Sequence, residues 1–336
     1  MKKINVAIVG ASGYTGIELV KLLLNHPKFN LFYIGTSSGE ESIEKLHPAL
    51  LDIATFKVEK SDANEIAKSC ELAFLALPHK TAMSFAKELL SLSVKVIDLS
   101  ADYRLSLESY EKYYEKHIDT ENLKQAVYGL PEINKEKIIN AKLVANPGCY
   151  PTASLLAILP FKKYIKKNTP IFIDAKSGVS GAGKKLTESS HFVQANENFV
   201  SYNALKHRHE PEISEHLVSQ GVENKIHFVP HLLPLTRGML VSAYMQVDEE
   251  FDAIKVLKEF YKDAKFVRIR NEAVSIKMTA GTNFCDIYAV QKDDILFVSS
   301  SIDNLLRGAS SQALLNANLM FGFEEDLGIP KIAYVP

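Results

Sequence analysis

The stretch that most constrains this chain is INVAIVGASGYTG, residues 4–16. Its apolar run reads as a strand buried on both faces. The run breaks into Gly10, Gly13 and Gly16 before GIELVKLLLNH (16–26) takes up a helical apolar spacing. A strand, a glycine turn and a helix are the opening of a parallel α/β unit. The alternation continues. NLFYIG (30–35), ELAFLALP (71–78), VKVIDLS (94–100) and KLVANPG (142–148) read as further strands, and KTAMSFAKELLS (80–91) as a helix among them. Short apolar strands between helices predict a doubly wound parallel sheet of Rossmann type, covered on both faces.

The pattern changes after Pro160. PIFIDAKSG (170–178), KIHFVPHLLP (225–234), GMLVSAYMQV (238–247), KFVRIR (265–270), NFCDIYAV (283–290) and ILFVSSSI (295–302) are strand-like. Fewer helices separate them, which predicts an α+β domain with a mostly antiparallel sheet. DNLLRGASSQALLNANLM (303–320) has helical spacing, with Asp303 as its candidate cap. The expected division is a nucleotide domain over 1–148, completed by the C-terminal segment 303–336, and a catalytic and oligomerisation domain over 149–302.

Several function classes fall away on composition. The chain has 39 Lys and Arg against 40 Asp and Glu, a net charge of −1, so no nucleic-acid or membrane surface rests on bulk charge. The basic tract FKKYIKKN (161–168) sits at an expected helix end, where lysines suit the dipole. No run approaches the ~20 apolar residues of a membrane span. The N-terminal apolar run, about five residues, is too short for a secretory signal. Cys70, Cys149 and Cys285 are far apart and form no CxxC pair, which suggests neither a disulfide framework nor a zinc ribbon. A cytoplasmic, reducing setting is expected.

The candidate chemistry lies in six places. In VGASGYTG (9–16) the glycines let backbone approach a pyrophosphate seated on the helix N-terminus, so Gly10, Ser12, Gly13, Tyr14, Thr15 and Gly16 are candidate cofactor contacts. The spacing is GxxGxxG, and the rival reading is a plain tight turn. Strand two ends in Thr36, Ser37 and Ser38 rather than in the acidic residue that favours NAD. Those hydroxyls suit a 2′-phosphate and point to NADP(H), with Glu40 and Glu41 as a counterweight. KSGVSGAGKK (176–185) lacks the GKS/GKT ending of a P-loop; its Ser180 and Gly181 could approach a nicotinamide or phosphate. NPGCYPT places Cys149 just inside a helix N-terminus, where unpaired N–H groups and the dipole favour a thiolate. A small packing residue at a tight corner is the alternative. KHRHEPEI (206–213) sets His207 and His209 around Arg208, ahead of a helix expected to begin near Pro211. HxH can chelate, but no HExxH or cysteine cluster accompanies it, so no metal is expected. Arg104, at a strand's C-terminal end, has the fork geometry for a carboxylate or phosphate; a surface salt bridge is the rival.

In order, GASGYTGIEL, DLSADYRL, VYGLPE, NPGCYPT, SGVSGAG, HRHEPEI, PHLLPLTRGM and DNLLRGASSQALLNAN resemble the N-acetyl-γ-glutamyl-phosphate reductase family. That family is the arginine-pathway branch of the aspartate-semialdehyde dehydrogenase superfamily. The resemblance covers essentially the whole chain. It implies a Rossmann domain with a glyceraldehyde-phosphate-dehydrogenase-like catalytic domain. It also implies NADPH-dependent reduction of N-acetyl-γ-glutamyl phosphate to the semialdehyde through a thioester on Cys149. A histidine of the HRH stretch would move the protons, His209 ahead of His207. Arg104 and Arg208 would hold the substrate's anionic groups, Asn316 would lie near the nicotinamide, and the enzyme would be a homo-oligomer, a dimer or a tetramer. One departure stands out: Gly39 replaces an arginine that relatives often carry after the serine pair. The rival readings are a reductase of aspartyl phosphate or its lysine-pathway analogue, a cysteine hydrolase or acyltransferase, and a nucleotide-sensing module without chemistry.

Overall fold

The computed structural model describes residues 3–39 and 42–334, so Glu40 and Glu41 lie outside the described residues. The chain separates into two compact units, 1–147 with 309–329, and 148–308 with 330–336.

The first unit is built on seven strands: β1 (Ile4–Val9), β2 (Phe29–Thr36), β3 (Glu59–Lys60), β4 (Leu72–Leu75), β5 (Lys95–Asp98), β6 (Val127–Tyr128) and β7 (Leu143–Ala145). They lie in the order β3-β2-β1-β4-β5-β7-β6, and every pairing is parallel. Continuous burial along β1 and β4, where Val6–Val9 and Leu72–Leu75 are inaccessible, explains their unbroken apolar sequence. The two-residue strands β3 and β6 at the sheet edges are too short to show any periodicity.

The glycines after β1 divide their work. Gly10 has φ +95°, and a Cβ there would strike the Ala76 carbonyl beyond β4. A Cβ on Gly16 would fall 2.7 Å from the Cα of Ala11. These two let the helix Tyr14–Leu24 pack tightly on the turn. Gly13 differs. It has φ −81°, and a Cβ would meet only the Gly10 carbonyl, at 3.9 Å.

The second unit holds β8 (Ile171–Gly178), β9 (Val200–Ser201), β10 (Ile226–Leu233), β11 (Met239–Gln246), β12 (Val267–Ile269), β13 (Cys285–Lys292) and β14 (Ile295–Ile302). The order is β12-β13-β14-β11-β8-β10-β9, parallel at β8–β10 and β12–β13 and antiparallel elsewhere. The helix Cys149–Ile158 packs on β11 and β14, and each of its residues after Cys149 is buried. Cys70 and Cys285 are buried, one in each unit, and burial pushes the Cys70 thiol up to about 12.

Two expected helix starts move. The last helix runs Ser310–Met320 and does not begin at Asp303. The Asp303 carboxylate does accept from the N–H groups of Leu305 and Leu306, at 2.9 and 3.0 Å, but the Asp303 backbone carbonyl accepts from the Gly308 N–H at 2.9 Å and closes a turn there. The carboxylate also accepts from the Gly281 N–H at 2.7 Å. Residues 303–308 and 330–336, which the sequence reading grouped with the nucleotide domain, lie in the second unit. The helix of the HRH stretch begins at His209, not near Pro211. Pro211 sits in its first turn, where a missing N–H costs nothing. Among the described residues no helix is long and apolar enough to cross a membrane.

Candidate active site

In the first unit the helix Tyr14–Leu24 starts at Gly13 with no side-chain cap and no acid in its first turn. Its N-terminal end is therefore electropositive, and Gly13 leaves the approach open. Ser12 and Tyr14 are exposed and Thr15 half-buried beside it. The Thr15 carbonyl accepts from the Ser310 hydroxyl at 3.0 Å. At the end of β2, Thr36 is 3 % exposed and its Oγ1 accepts from the Gly39 N–H at 3.0 Å, so this hydroxyl is turned into the loop. Ser37 and Ser38 are exposed. Gly39 has φ +73°, and a Cβ there would lie 3.0 Å from the Lys60 nitrogen, which disfavours any larger residue at this position.

The segment DLSADYR carries a buried polar network at the C-terminal end of β5. The Asp98 carboxylate accepts from the N–H and hydroxyl of Ser100 at 3.0 and 2.7 Å. Burial, with Asp102 nearby, pushes Asp98 up to about 7 against those hydrogen bonds. Asp102 accepts from the N–H groups of Lys80 and Met83 and from the Tyr110 hydroxyl. It thereby holds Lys80 at φ +76°, at the start of the helix Thr81–Ser91. Arg104 is 7 % exposed and donates from Nε to the Asn146 carbonyl and from Nη2 to the Leu99 carbonyl, both at 2.7 Å. It is no surface salt bridge. Those two donors brace the loop that leads into NPGC. Asn146 in turn donates to the Ala309 carbonyl at 3.1 Å, and Asn316 donates to the Asn146 Oδ1 at 3.1 Å and the Gly129 carbonyl at 3.0 Å. Asn316 is fully buried.

In the second unit Cys149 is the first residue of its helix, with Gly148 as N-cap, no side-chain cap on the turn and no acid in it. Its side chain is partly accessible. The next residue, Tyr150, joins a ring cluster. Its ring centroid lies 5.7 Å from that of His207 and 5.8 Å from that of His209, and the two imidazoles are 4.8 Å apart. Tyr202 donates to the Tyr150 hydroxyl at 3.2 Å, and Tyr150 donates to the His231 carbonyl at 3.2 Å. Burial raises both phenols, Tyr202 to about 12. The histidines are not equivalent. His207 Nδ1 accepts from the His209 N–H at 3.1 Å, which fixes the neutral tautomer. Burial, and then the Arg208 charge, push His207 down to about 4. Arg208 is exposed.

The structure adds residues absent from the sequence reading. The Glu212 Oε1 accepts from the Gly148 N–H at 2.9 Å. Gly308 backs the cysteine: a Cβ there would fall 2.6 Å from the Cys149 Cβ. Asn304 accepts from the Gly238 N–H at 2.7 Å and donates to the Ser180 hydroxyl at 3.0 Å, tying the SGVSGAG loop to the same turn. In that loop Val179–Ala182 form one turn of 3-10 helix, and Gly181 is exposed. Each added residue was present in the sequence only as a letter of a longer motif, Glu212 in HRHEPEI and Asn304 and Gly308 in DNLLRGASSQALLNAN. Among the described residues no group of three or more His, Cys, Asp or Glu side chains could hold a metal ion.

Comparison with known proteins gives the family. The family model described as "Semialdehyde dehydrogenase, NAD binding domain" matches residues 5–141, and that described as "Semialdehyde dehydrogenase, dimerisation domain" matches 149–304. The chain is 58 % identical over 337 residues to an N-acetyl-gamma-glutamyl-phosphate reductase of Sulfurimonas denitrificans, covering all of both chains. It is 44 % identical over 348 residues to one of Methanocaldococcus jannaschii, covering 98 % of this chain and 99 % of that one. Among solved structures, aspartate semialdehyde dehydrogenase II from Vibrio cholerae superposes with a TM-score of 0.74 at 16 % identity, covering 96 % and 99 % of the two chains. At that identity the likeness speaks for the fold alone. Full-length similarity and the cysteine, histidine and glycine motifs lead to one assignment: the chain belongs to the N-acetyl-γ-glutamyl-phosphate reductase family of semialdehyde dehydrogenases.

Proposed function

We propose that this enzyme reduces N-acetyl-γ-glutamyl phosphate to N-acetylglutamate semialdehyde, with NADPH as reductant and release of inorganic phosphate, as a step of arginine biosynthesis. The observation that carries the reading is Cys149 at the first position of a helix whose own turn supplies no side-chain cap, next in sequence to Tyr150, whose ring meets those of His207 and His209. The helix end favours the thiolate. The sulfur attacks the acyl carbon, the bond to the phosphate oxygen breaks, and a thioester remains on Cys149. NADPH, when bound, supplies the hydride that a thioester accepts and a carboxylate does not. His209 protonates the oxyanion of the resulting thiohemiacetal and takes the proton back as the C–S bond breaks, which frees the aldehyde and the thiolate. His207, neutral and already accepting from the His209 N–H, orients its neighbour. Arg208 and Arg104 meet the substrate's carboxylate and phosphate, Arg104 while its Nε and one Nη2 bond hold the Asn146 and Leu99 carbonyls.

The first unit fits the cofactor at one point that no internal contact explains. Gly13 has open space where Gly10 and Gly16 have none, and the helix behind it begins without a side-chain cap. Ser37 and Ser38 support NADP(H) over NAD(H), whereas Thr36 serves the loop. A homo-oligomer is supported by the second sheet. Phe172, Tyr244, Phe297 and Val290 stand in register across β8, β11, β14 and β13, and three of them are more than two-fifths exposed. A reducing cytoplasm suits a free catalytic thiol. The test is phosphate-dependent reduction of NADP+ in the reverse direction with three aldehydes side by side. N-acetylglutamate semialdehyde should far outrun aspartate semialdehyde and the lysine-pathway analogue. Faster turnover of either rival, or aldehyde-independent hydrolysis of acyl esters, would overturn the assignment.

A further inference from the structure

The acids of HRHEPEI are in the first turn of the helix His209–Val218, and they reach in different directions. Glu210 accepts from the Phe228 N–H of β10 at 3.0 Å, which anchors the helix to the sheet. Glu212 is 1 % exposed, and its Oε1 accepts from the N–H of Gly148, the residue immediately before the cysteine. Burying a carboxylate is costly unless hydrogen bonds compensate it. Packing alone gives no reason for a charge here, since the neighbouring Ile213 and Leu217 fill the core with apolar side chains. The Gly148 N–H is one of the donors that a helix N-terminus leaves unpaired, and no side chain of its own turn caps it.

We propose that Glu212 is a positioning residue for the thiol: by holding the Gly148 N–H it fixes the N-cap, and with it the place of the Cys149 sulfur. The bond joins the helix that carries His209 to the turn that carries Cys149, so the acid–base group and the nucleophile share one anchor. Gly308 backs the cysteine from behind, with room for a hydrogen only. The sulfur is thus held between a hydrogen-bonded N-cap and a glycine wall. The inference rests on Cys149 being the nucleophile, and it adds a residue to that reading.

The test uses Glu212→Gln and Glu212→Ala in the whole enzyme, with two readouts. One is kcat and the KM for NADP+ in the reverse reaction. The other is the rate at which iodoacetamide alkylates Cys149 in the enzyme alone. An amide oxygen still accepts from Gly148, so Glu212→Gln should keep kcat and the alkylation rate within about fivefold of wild type. Glu212→Ala should lose kcat on the order of 10²-fold, the cost of a misplaced reacting group, with the KM for NADP+ unchanged and the alkylation rate altered. Loss of the same size in both variants would overturn the proposal, because the charge rather than the held N–H would then matter. So would a folded Glu212→Ala enzyme with wild-type kcat. Should Glu212→Ala fail to fold, Glu212→Asp, which withdraws the oxygen by one methylene, replaces it with the same expected loss. Cys149→Ser in the same assay separates the two ideas: if it keeps turnover, the nucleophile reading fails, while the alkylation rates still report whether Glu212 sets the thiol.

Discussion

Gly308→Ala is the most exacting test of how the cysteine is seated. The added methyl would lie 2.6 Å from the Cys149 Cβ and 2.6 Å from the Asn304 carbonyl oxygen, where ordinary contact begins at 3.4 Å. The overlap is therefore close to 1 Å on each side. The Asn304 side cannot give cheaply, since that residue's side chain is tied to Gly238 and Ser180 and its neighbour Asp303 to three N–H groups. The cysteine side gives. Overpacking of this size costs about 1–3 kcal/mol of stability. Displacing the sulfur by ~1 Å should cost on the order of 10²-fold in kcat. The assay pairs a thermal melt with kcat and the iodoacetamide rate, and Gly13→Ala, whose Cβ meets only the Gly10 carbonyl at 3.9 Å, serves as the control glycine for the melt alone. If Gly308→Ala keeps its melting temperature, kcat and alkylation rate, the glycine wall is not what places the thiol.

Three further outcomes follow from the same geometry. Gly13→Ala should leave the melting temperature unchanged yet weaken NADPH binding, measured by fluorescence titration; equal affinity would remove the pyrophosphate from that turn. His209→Asn should lower kcat by roughly 10²–10⁴-fold and remove a limb of the pH–kcat curve, whereas His207→Asn should keep that limb, because a ring held down to about 4 is neutral throughout the working range. A reversed pair of profiles would exchange the roles. His26, buried with Nδ1 accepting from the Phe29 N–H at 2.9 Å and Nε2 facing the Leu327 carbonyl at 3.1 Å, is held below its usual value, chiefly by burial. The unfolded chain takes up that proton first, so this contribution to stability is complete above about pH 6.5 and shrinks as pH falls toward the lowered folded value. Denaturation midpoints between pH 7.5 and 5 should show His26→Asn losing part of that acid dependence; an unchanged slope would refute it.

What could be read in the sequence was what repeats locally. β1, β2, β4, β5 and β7 are runs of apolar residues, and the turn after β1 announces itself by three glycines. β3, β6 and β9 have two residues each and exist only because a neighbour pairs with them. The segment from Asp303 to Ala309 has helical spacing but is bent by Asp303 and by the cysteine that Gly308 admits, a contact 159 residues away in sequence. Within the candidate site, residue type was legible and partnership was not. Arg104 reads as an anion clamp, and nothing local announces that its Nε and Nη2 also hold the Asn146 and Leu99 carbonyls; nor does the sequence show that His207 accepts the His209 backbone N–H. Glu212 was visible only as one letter of a motif, because its work is a hydrogen bond to Gly148, 64 residues distant.

The central claim is that Cys149 carries the acyl group, and it can be weighed directly. The enzyme is mixed with N-acetyl-γ-glutamyl phosphate in the absence of NADPH, quenched in acid, digested and examined by mass spectrometry. The account predicts stoichiometric phosphate release and an N-acetylglutamyl thioester on the peptide containing Cys149, which disappears as aldehyde forms when NADPH is added. An unmodified Cys149 peptide with aldehyde still formed on addition of NADPH, or an adduct that persists in Cys149→Ser, would contradict it.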